Sequence, residues 1–219
     1  MYAPYPENMM ESIKKVEATR AQRMATEPRR LSADEKDALL KKFHPDYNPD
    51  AFAEIKVGPN KGQACVVPGH QIAEEALAKL YLVTGDKKYL NEAKFFLDYR
   101  GKTEIKDQYS QSHIPVIEQK EAVGHAVRAG YMYSAMADVA ALTGDTSYIQ
   151  AIDNIWDNIV SKKYYITGGV GATASGEAFG DNYELPNMSA YCETCAAIAQ
   201  VYLNYRLFLL HGQSKYFDC

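Results

Sequence analysis

The sequence predicts an all-α fold of antiparallel helical hairpins, on two grounds. A turn motif recurs along the chain, and the segments between its copies carry apolar residues at three-to-four spacing. Leu82-Val83-Thr84-Gly85-Asp86-Lys87-Lys88-Tyr89-Leu90 returns as Ala141-Leu142-Thr143-Gly144-Asp145-Thr146-Ser147-Tyr148-Ile149. A looser copy is Leu209-Leu210-His211-Gly212-Gln213-Ser214-Lys215-Tyr216-Phe217. In each copy the glycine suits the left-handed conformation just past a helix end. Asp86 and Asp145 are placed to cap the helix that follows, and the Tyr behind them opens its apolar face. Between two of these turns, Ala126, Ala129, Met132, Tyr133, Met136, Val139 and Ala140 predict a largely buried helix.

The chain has 219 residues, 47% hydrophobic and 24% charged, which fits one domain or one domain with an appendage. Residues 1–62 differ from the rest, holding six of the nine prolines within a dense mix of charges. They are expected to form a separate, partly helical and partly irregular segment, with residues 63–219 as the helical-hairpin domain. Met9 to Met24 fits one amphipathic helix. A second is expected after Ser32, with Glu35 completing a capping box. His44-Pro45-Asp46 matches the J-domain tripeptide, but irregular chain follows it where that motif needs a second long helix.

A net charge of −4 with scattered Lys and Arg gives no basic groove, so nucleic acid is not an expected partner. No apolar run approaches the ~20 residues that span a bilayer. The first residues, MYAPYPENMMESIKK, lack the pattern of a secretory signal, so a soluble protein is expected, its compartment unspecified. Seventeen Tyr stand against one Trp, a supply of rings with polar tips that suits both helix packing and sugar contact.

Candidate functional residues gather at the predicted helix starts. His70, His125 and Glu193 each precede a repeat glycine by roughly four to five helical turns. They therefore belong at the same end of equivalent helices, facing one mouth rather than each merely capping its own helix. The segments Lys102 to Pro115 and Tyr164 to Pro186 read as loops, and a glycine-rich loop of about twenty residues usually serves a function. Ile166-Thr167-Gly168-Gly169-Val170-Gly171 lacks the Lys-Ser/Thr and the strand–turn–helix context of a phosphate cradle. Glu177 lies inside this stretch, and its Ala178 and Phe179 neighbours suggest an apolar setting suited to a general acid. Cys192-Glu193-Thr194-Cys195 offers thiolate and carboxylate donors of the kinds zinc accepts. The same Cys pair also fits a buried structural thiol pair or a redox pair.

Taken in order, these segments resemble the β-L-arabinofuranosidases of glycoside hydrolase family 127 and their relatives. The resemblance runs through Val67-Pro68-Gly69-His70-Gln71 and Glu118-Gln119-x-Glu121-Ala122-Val123-Gly124-His125-Ala126-Val127-Arg128-Ala129. It continues in Tyr165-Ile166-Thr167-Gly168-Gly169, Gly176-Glu177-Ala178-Phe179, Tyr183-Glu184-Leu185-Pro186-Asn187 and Cys192-Glu193-Thr194-Cys195-Ala196-Ala197. It implies a partial (α/α)6 toroid over residues 64–217, with the glycine-rich loop at the active site. It also implies a retaining mechanism in which a zinc-bound thiolate attacks the anomeric carbon. Glu177 would be the general acid/base, Glu193 and Cys195 two ligands of Zn2+, and His70 and His125 donors and acceptors for furanose hydroxyls. The implied substrate is an arabinofuranoside-containing plant glycan.

The sequence also departs from that pattern. The nucleophile and last zinc ligand belong to an adjacent Cys-Cys pair, which this sequence does not contain. The expectation is a catalytically incomplete chain whose exposed helix faces invite self-association. The alternative is a noncatalytic helical-hairpin module that binds a sugar or a protein partner through the same rim.

Overall fold

The computed structural model describes residues 60–218 together with Val57, Gly58 and a few positions between 32 and 42. The chain divides into two compact units, Met1–Glu54 and Ile55–Cys219. Within the first, the Ser32 N–H donates to Glu35 Oε2 (2.7 Å) and the Glu35 N–H to Ser32 Oγ (3.2 Å), the expected capping box. The helix expected over Met9 to Met24, and the tripeptide at His44, lie outside the described residues.

The second unit contains five α-helices and, among the described residues, no strand. These are α1 (Ile72–Thr84), α2 (Lys87–Tyr99), α3 (Ala126–Thr143), α4 (Thr146–Lys162) and α5 (Thr194–His211). The repeated turn joins α1 to α2 and α3 to α4. Gly85, Gly144 and Gly212 end their helices at φ of 71°, 76° and 66°, the left-handed region that the motif requires. Asp86 accepts from Lys88 N (3.0 Å) and Asp145 from Ser147 N (3.1 Å). The third copy has Gln213 where the others have Asp, and its side chain makes no cap. There the chain makes one 3-10 turn, Ser214–Tyr216, and Tyr216 tucks against Trp156 with ring centroids 4.7 Å apart.

Helix α3 is the centre of the unit. It packs against α1, α2, α4 and α5, and twelve of its positions are buried, including all seven that the apolar spacing marks. Gly130 lets α5 come close, since a Cβ there would sit 2.7 Å from the Ala199 Cβ. Helices α1, α3 and α5 are tied by Arg206, which donates to Glu75 on α1 (2.6 Å) and Asp138 on α3 (2.9 Å). Helices α2 and α4 pack behind them as the outer members of the hairpins. This is the hairpin arrangement of an (α/α)6 toroid, as the sequence predicts.

Buried polar contacts hold the connections at the helix starts. Arg100, at the end of α2, pairs with Glu74 (2.8 Å) and donates to Pro68 O (2.8 Å) and Ser110 O (3.1 Å). Lys163, just past α4, donates to Glu121 (2.8 Å), Ala122 O (2.8 Å) and Gly180 O (2.9 Å), strapping two loops together. Both are buried charges with several partners, the condition under which a buried cation is tolerated. Elsewhere apolar side chains face outward at helical spacing, with Ile198, Val201, Tyr205 and Leu209 on α5 and Ile72, Leu80 and Val83 on α1. They are the exposed faces on which self-association was expected.

Candidate active site

His125 is the N-cap of α3, Glu193 is the N-cap of α5, and His70 stands just ahead of the N-cap of α1. All three thus occupy the helix starts to which the spacing assigned them. His70 and His125 share a neighbourhood, since the charges of Arg128 and His125 act on the His70 ring. Tyr191, two residues before Glu193, bonds the Glu177 carboxylate that pairs with His125.

The His125 backbone N–H donates to Tyr109 O (3.1 Å). Gly124 ahead of it has φ of 70°, and a Cβ there would fall 1.8 Å from Gln108 O, so only glycine fits. The His125 Nδ1 accepts from the Arg128 N–H (3.5 Å), which leaves Nε2 carrying the hydrogen. Nε2 lies 3.0 Å from Glu177 Oε2. The ring therefore caps its helix and pairs with the carboxylate at once.

Glu177 is presented by a turn in which Gly176 and Glu177 are both left-handed, with φ of 70° and 49°. A non-glycine residue in that region costs about 1 kcal/mol or more and is held by its surroundings. Ala178 bridges both His125 and Thr173, and the Phe179 N–H donates to Gly124 O (2.9 Å). Phe179 is buried in the core. The apolar flank suggested by the sequence thus anchors the turn, while the carboxylate itself is 41% exposed. Its Oε1 accepts from the Tyr191 hydroxyl (3.2 Å).

Glu193 and Cys195 lie together beside Glu177. The Glu193 carboxylate pushes the Cys195 thiol above its ordinary range, with the Glu177 charge adding to the effect. Glu193 Oε2 is buried and has no hydrogen-bond partner. A buried carboxylate oxygen and a thiol are two donors of the kinds that zinc accepts. Among the described residues no group of three or more His, Cys, Asp or Glu is placed to hold a metal ion. Cys192 points elsewhere. A Cβ on Gly169 would lie 3.2 Å from its Sγ, and burial pushes its thiol up.

His70 completes the set. Its Nδ1 accepts from the Ile72 N–H (3.3 Å), and its ring packs against Tyr131 at 5.8 Å. Burial first, then the Arg128 and His125 charges, lower its pKa, so the ring is kept neutral and able to donate and accept.

Three residues that sequence reasoning did not single out belong to the same mouth. Arg128 donates to Gly69 O, and its guanidinium lies 4.7 Å from the centre of the Tyr109 ring. Tyr109 packs edge-on to His125 at 5.5 Å, and Tyr191 holds Glu177. Arg128, one turn after His125, was legible as sharing its helix face. Nothing periodic marks Tyr109 or Tyr191, which sit in loops.

Comparison with known proteins agrees with the helical-hairpin fold. The model of the GH127 β-L-arabinofuranosidase catalytic domain matches residues 45–219. The non-reducing end β-L-arabinofuranosidase of Bifidobacterium longum subsp. longum is 36% identical over 186 residues, covering 75% of this chain and 28% of that protein. A GH127 β-arabinofuranosidase of solved structure is 74% identical with a TM-score of 0.74, covering 74% of this chain and 26% of that one. The GH127 β-L-arabinofuranosidase of Geobacillus stearothermophilus T6 is 44% identical with a TM-score of 0.72, covering 74% and 29%. The chain thus spans between a quarter and a third of the length of these relatives. On the match that takes in residues 45–219, the chain belongs to the GH127 β-L-arabinofuranosidase catalytic-domain family.

Proposed function

We propose that this chain carries the acid/base side of a site that hydrolyses β-L-arabinofuranosides by a retaining route. The observation that carries the reading is the Glu177 carboxylate, presented by a strained turn at the helix starts and held by His125 at 3.0 Å and Tyr191 at 3.2 Å. A glycosidase acid/base protonates the departing oxygen and then takes a proton from the incoming water. Glu177 has the exposure to reach substrate and two donors to fix its orientation. His70 and His125 would hydrogen-bond the furanose hydroxyls, His70 kept neutral chiefly by its burial.

Glu193 and Cys195 would hold a zinc ion, which when bound keeps thiol ligands deprotonated. The orphaned Glu193 Oε2 supports that assignment. The attacking thiolate that this route implies would come from an adjacent Cys pair, which is not among the 219 residues of this sequence. The substrate is expected to be an arabinofuranoside-containing glycan, the sugar named for the relatives.

The test uses a chimera in which residues 60–218 replace the equivalent segment of the 74%-identical β-arabinofuranosidase. Glu177→Gln in that chimera should lower kcat by about 100- to 10,000-fold with the helical fold retained. Product released by the active chimera should first appear with retained anomeric configuration by NMR. Full turnover in the Glu177→Gln chimera would remove the acid/base assignment, and an inverted product would remove the retaining route.

A further inference from the structure

Tyr109 keeps 44% of its surface exposed although its ring is held on several sides. Its carbonyl accepts from the His125 N–H (3.1 Å) and from Gln111 Nε2 (3.2 Å), so the backbone beneath the ring is fixed. The ring stands edge-on to His125 with centroids 5.5 Å apart and planes at 73°. The Arg128 guanidinium lies 4.7 Å from the ring centre. A Cβ on Gly176 would come within 3.4 Å of the ring, so it packs on the backbone directly ahead of Glu177. An aromatic ring locked in this way loses little freedom when a ligand settles on it.

The two oxygens of Glu177 separate the site into two sides. Oε1 faces Tyr191, which stands two residues before Glu193 in the loop that leads into α5. Oε2 faces His125, whose ring the Tyr109 ring meets edge-on. The leaving group is bonded to the oxygen that Glu177 protonates, so it must lie within a bond or two of this carboxylate. On that reading it would also lie away from the Glu193–Cys195 side, where the nucleophile would stand. The partly exposed Tyr109 ring lies on the Oε2 side, beside His125 and the Gly176 backbone.

We propose that Tyr109 is a stacking platform for the leaving group, so that the site selects β-L-arabinofuranosides whose leaving group is itself a ring. This rests on the reading of Glu177 as the acid/base. A sugar or aryl ring presents C–H or π surface to an aromatic face, whereas a small alkyl group presents too little to stack.

The test measures binding to the 219-residue chain by NMR titration, with phenyl and methyl 1-thio-β-L-arabinofuranoside as non-hydrolysable probes. The phenyl probe should bind about fivefold more tightly than the methyl one. Tyr109→Leu should abolish that preference and leave the methyl probe bound as in the wild type, while Tyr109→Phe should keep the preference. A preference that survives Tyr109→Leu would overturn the inference. So would equal loss of both probes in Tyr109→Leu, which would make the residue a support for His125 rather than a platform. If the wild-type chain binds neither probe, the reading of the site as an arabinofuranoside site falls, and the platform with it.

Discussion

Arg100→Met should be the most damaging single substitution away from the mouth. The Arg100 and Glu74 side chains are 1% and 0% exposed and meet at 2.8 Å. Removing one partner of such a pair leaves a buried charge unanswered and costs about 3–5 kcal/mol. For a unit of this size that corresponds to a fall in Tm of very roughly 10 °C. The penalty should depend on pH. Burial holds the Glu74 carboxyl above its ordinary range even with Arg100 beside it. A carboxylate whose folded pKa exceeds its unfolded value adds stability that is complete below the unfolded value and is lost as pH rises through the folded one. Without Arg100 the folded value climbs further, so the variant's deficit should be larger at pH 7 than at pH 5. Urea unfolding followed by circular dichroism at the two pH values measures it. Glu74→Leu added to Arg100→Met should recover part of the loss, the remainder being the bonds to Pro68 O and Ser110 O. A deficit under about 1 kcal/mol, or one that does not change with pH, would refute the view that this pair is a buried charge couple.

Other consequences are local. Gly124→Ala would drive a methyl group into Gln108 O, so the variant should lose His125 placement and melt well below wild type in a thermal scan. Tyr191→Phe removes one of the two donors to Glu177, and in the GH127 chimera kcat should fall about tenfold while circular dichroism stays unchanged. Zinc should slow alkylation of Cys195 but not of Cys65, as read by mass spectrometry, and Glu193→Gln should remove that protection. Equal protection of both thiols would count against the half-site.

The parts of this fold that were legible in the sequence are those set by local chemistry. Three glycines at helix ends, two Asp caps and the apolar spacing of α3 each follow from what a helix needs, and all stand as expected. The same logic located His70, His125 and Glu193 at the helix starts. The contacts that complete the site are not local. Gln111 is buried at φ of 55°, with Nε2 donating to Val123 O (2.9 Å) and His125 O (3.2 Å) and Oε1 accepting from Gln71 (2.6 Å). No periodicity or cap signal marks a glutamine for that role. The same holds for Arg100, whose partners Pro68 and Glu74 lie 32 and 26 residues away. Phe179, next but one to Glu177 in sequence, is buried in the core, while the Glu177 side chain is 41% exposed. The third turn copy ends in a 3-10 turn because Gln213 supplies no cap where Asp does elsewhere.

The role of Glu177 is tested most directly by leaving-group dependence. In the GH127 chimera, hydrolysis of methyl and p-nitrophenyl β-L-arabinofuranosides would be compared for wild type and Glu177→Gln. The methyl glycoside needs its departing oxygen protonated and the p-nitrophenyl one hardly does, so the substitution should slow the methyl glycoside by at least about 100-fold more. Equal slowing of both substrates, or of neither, would contradict the assignment of Glu177 as the general acid.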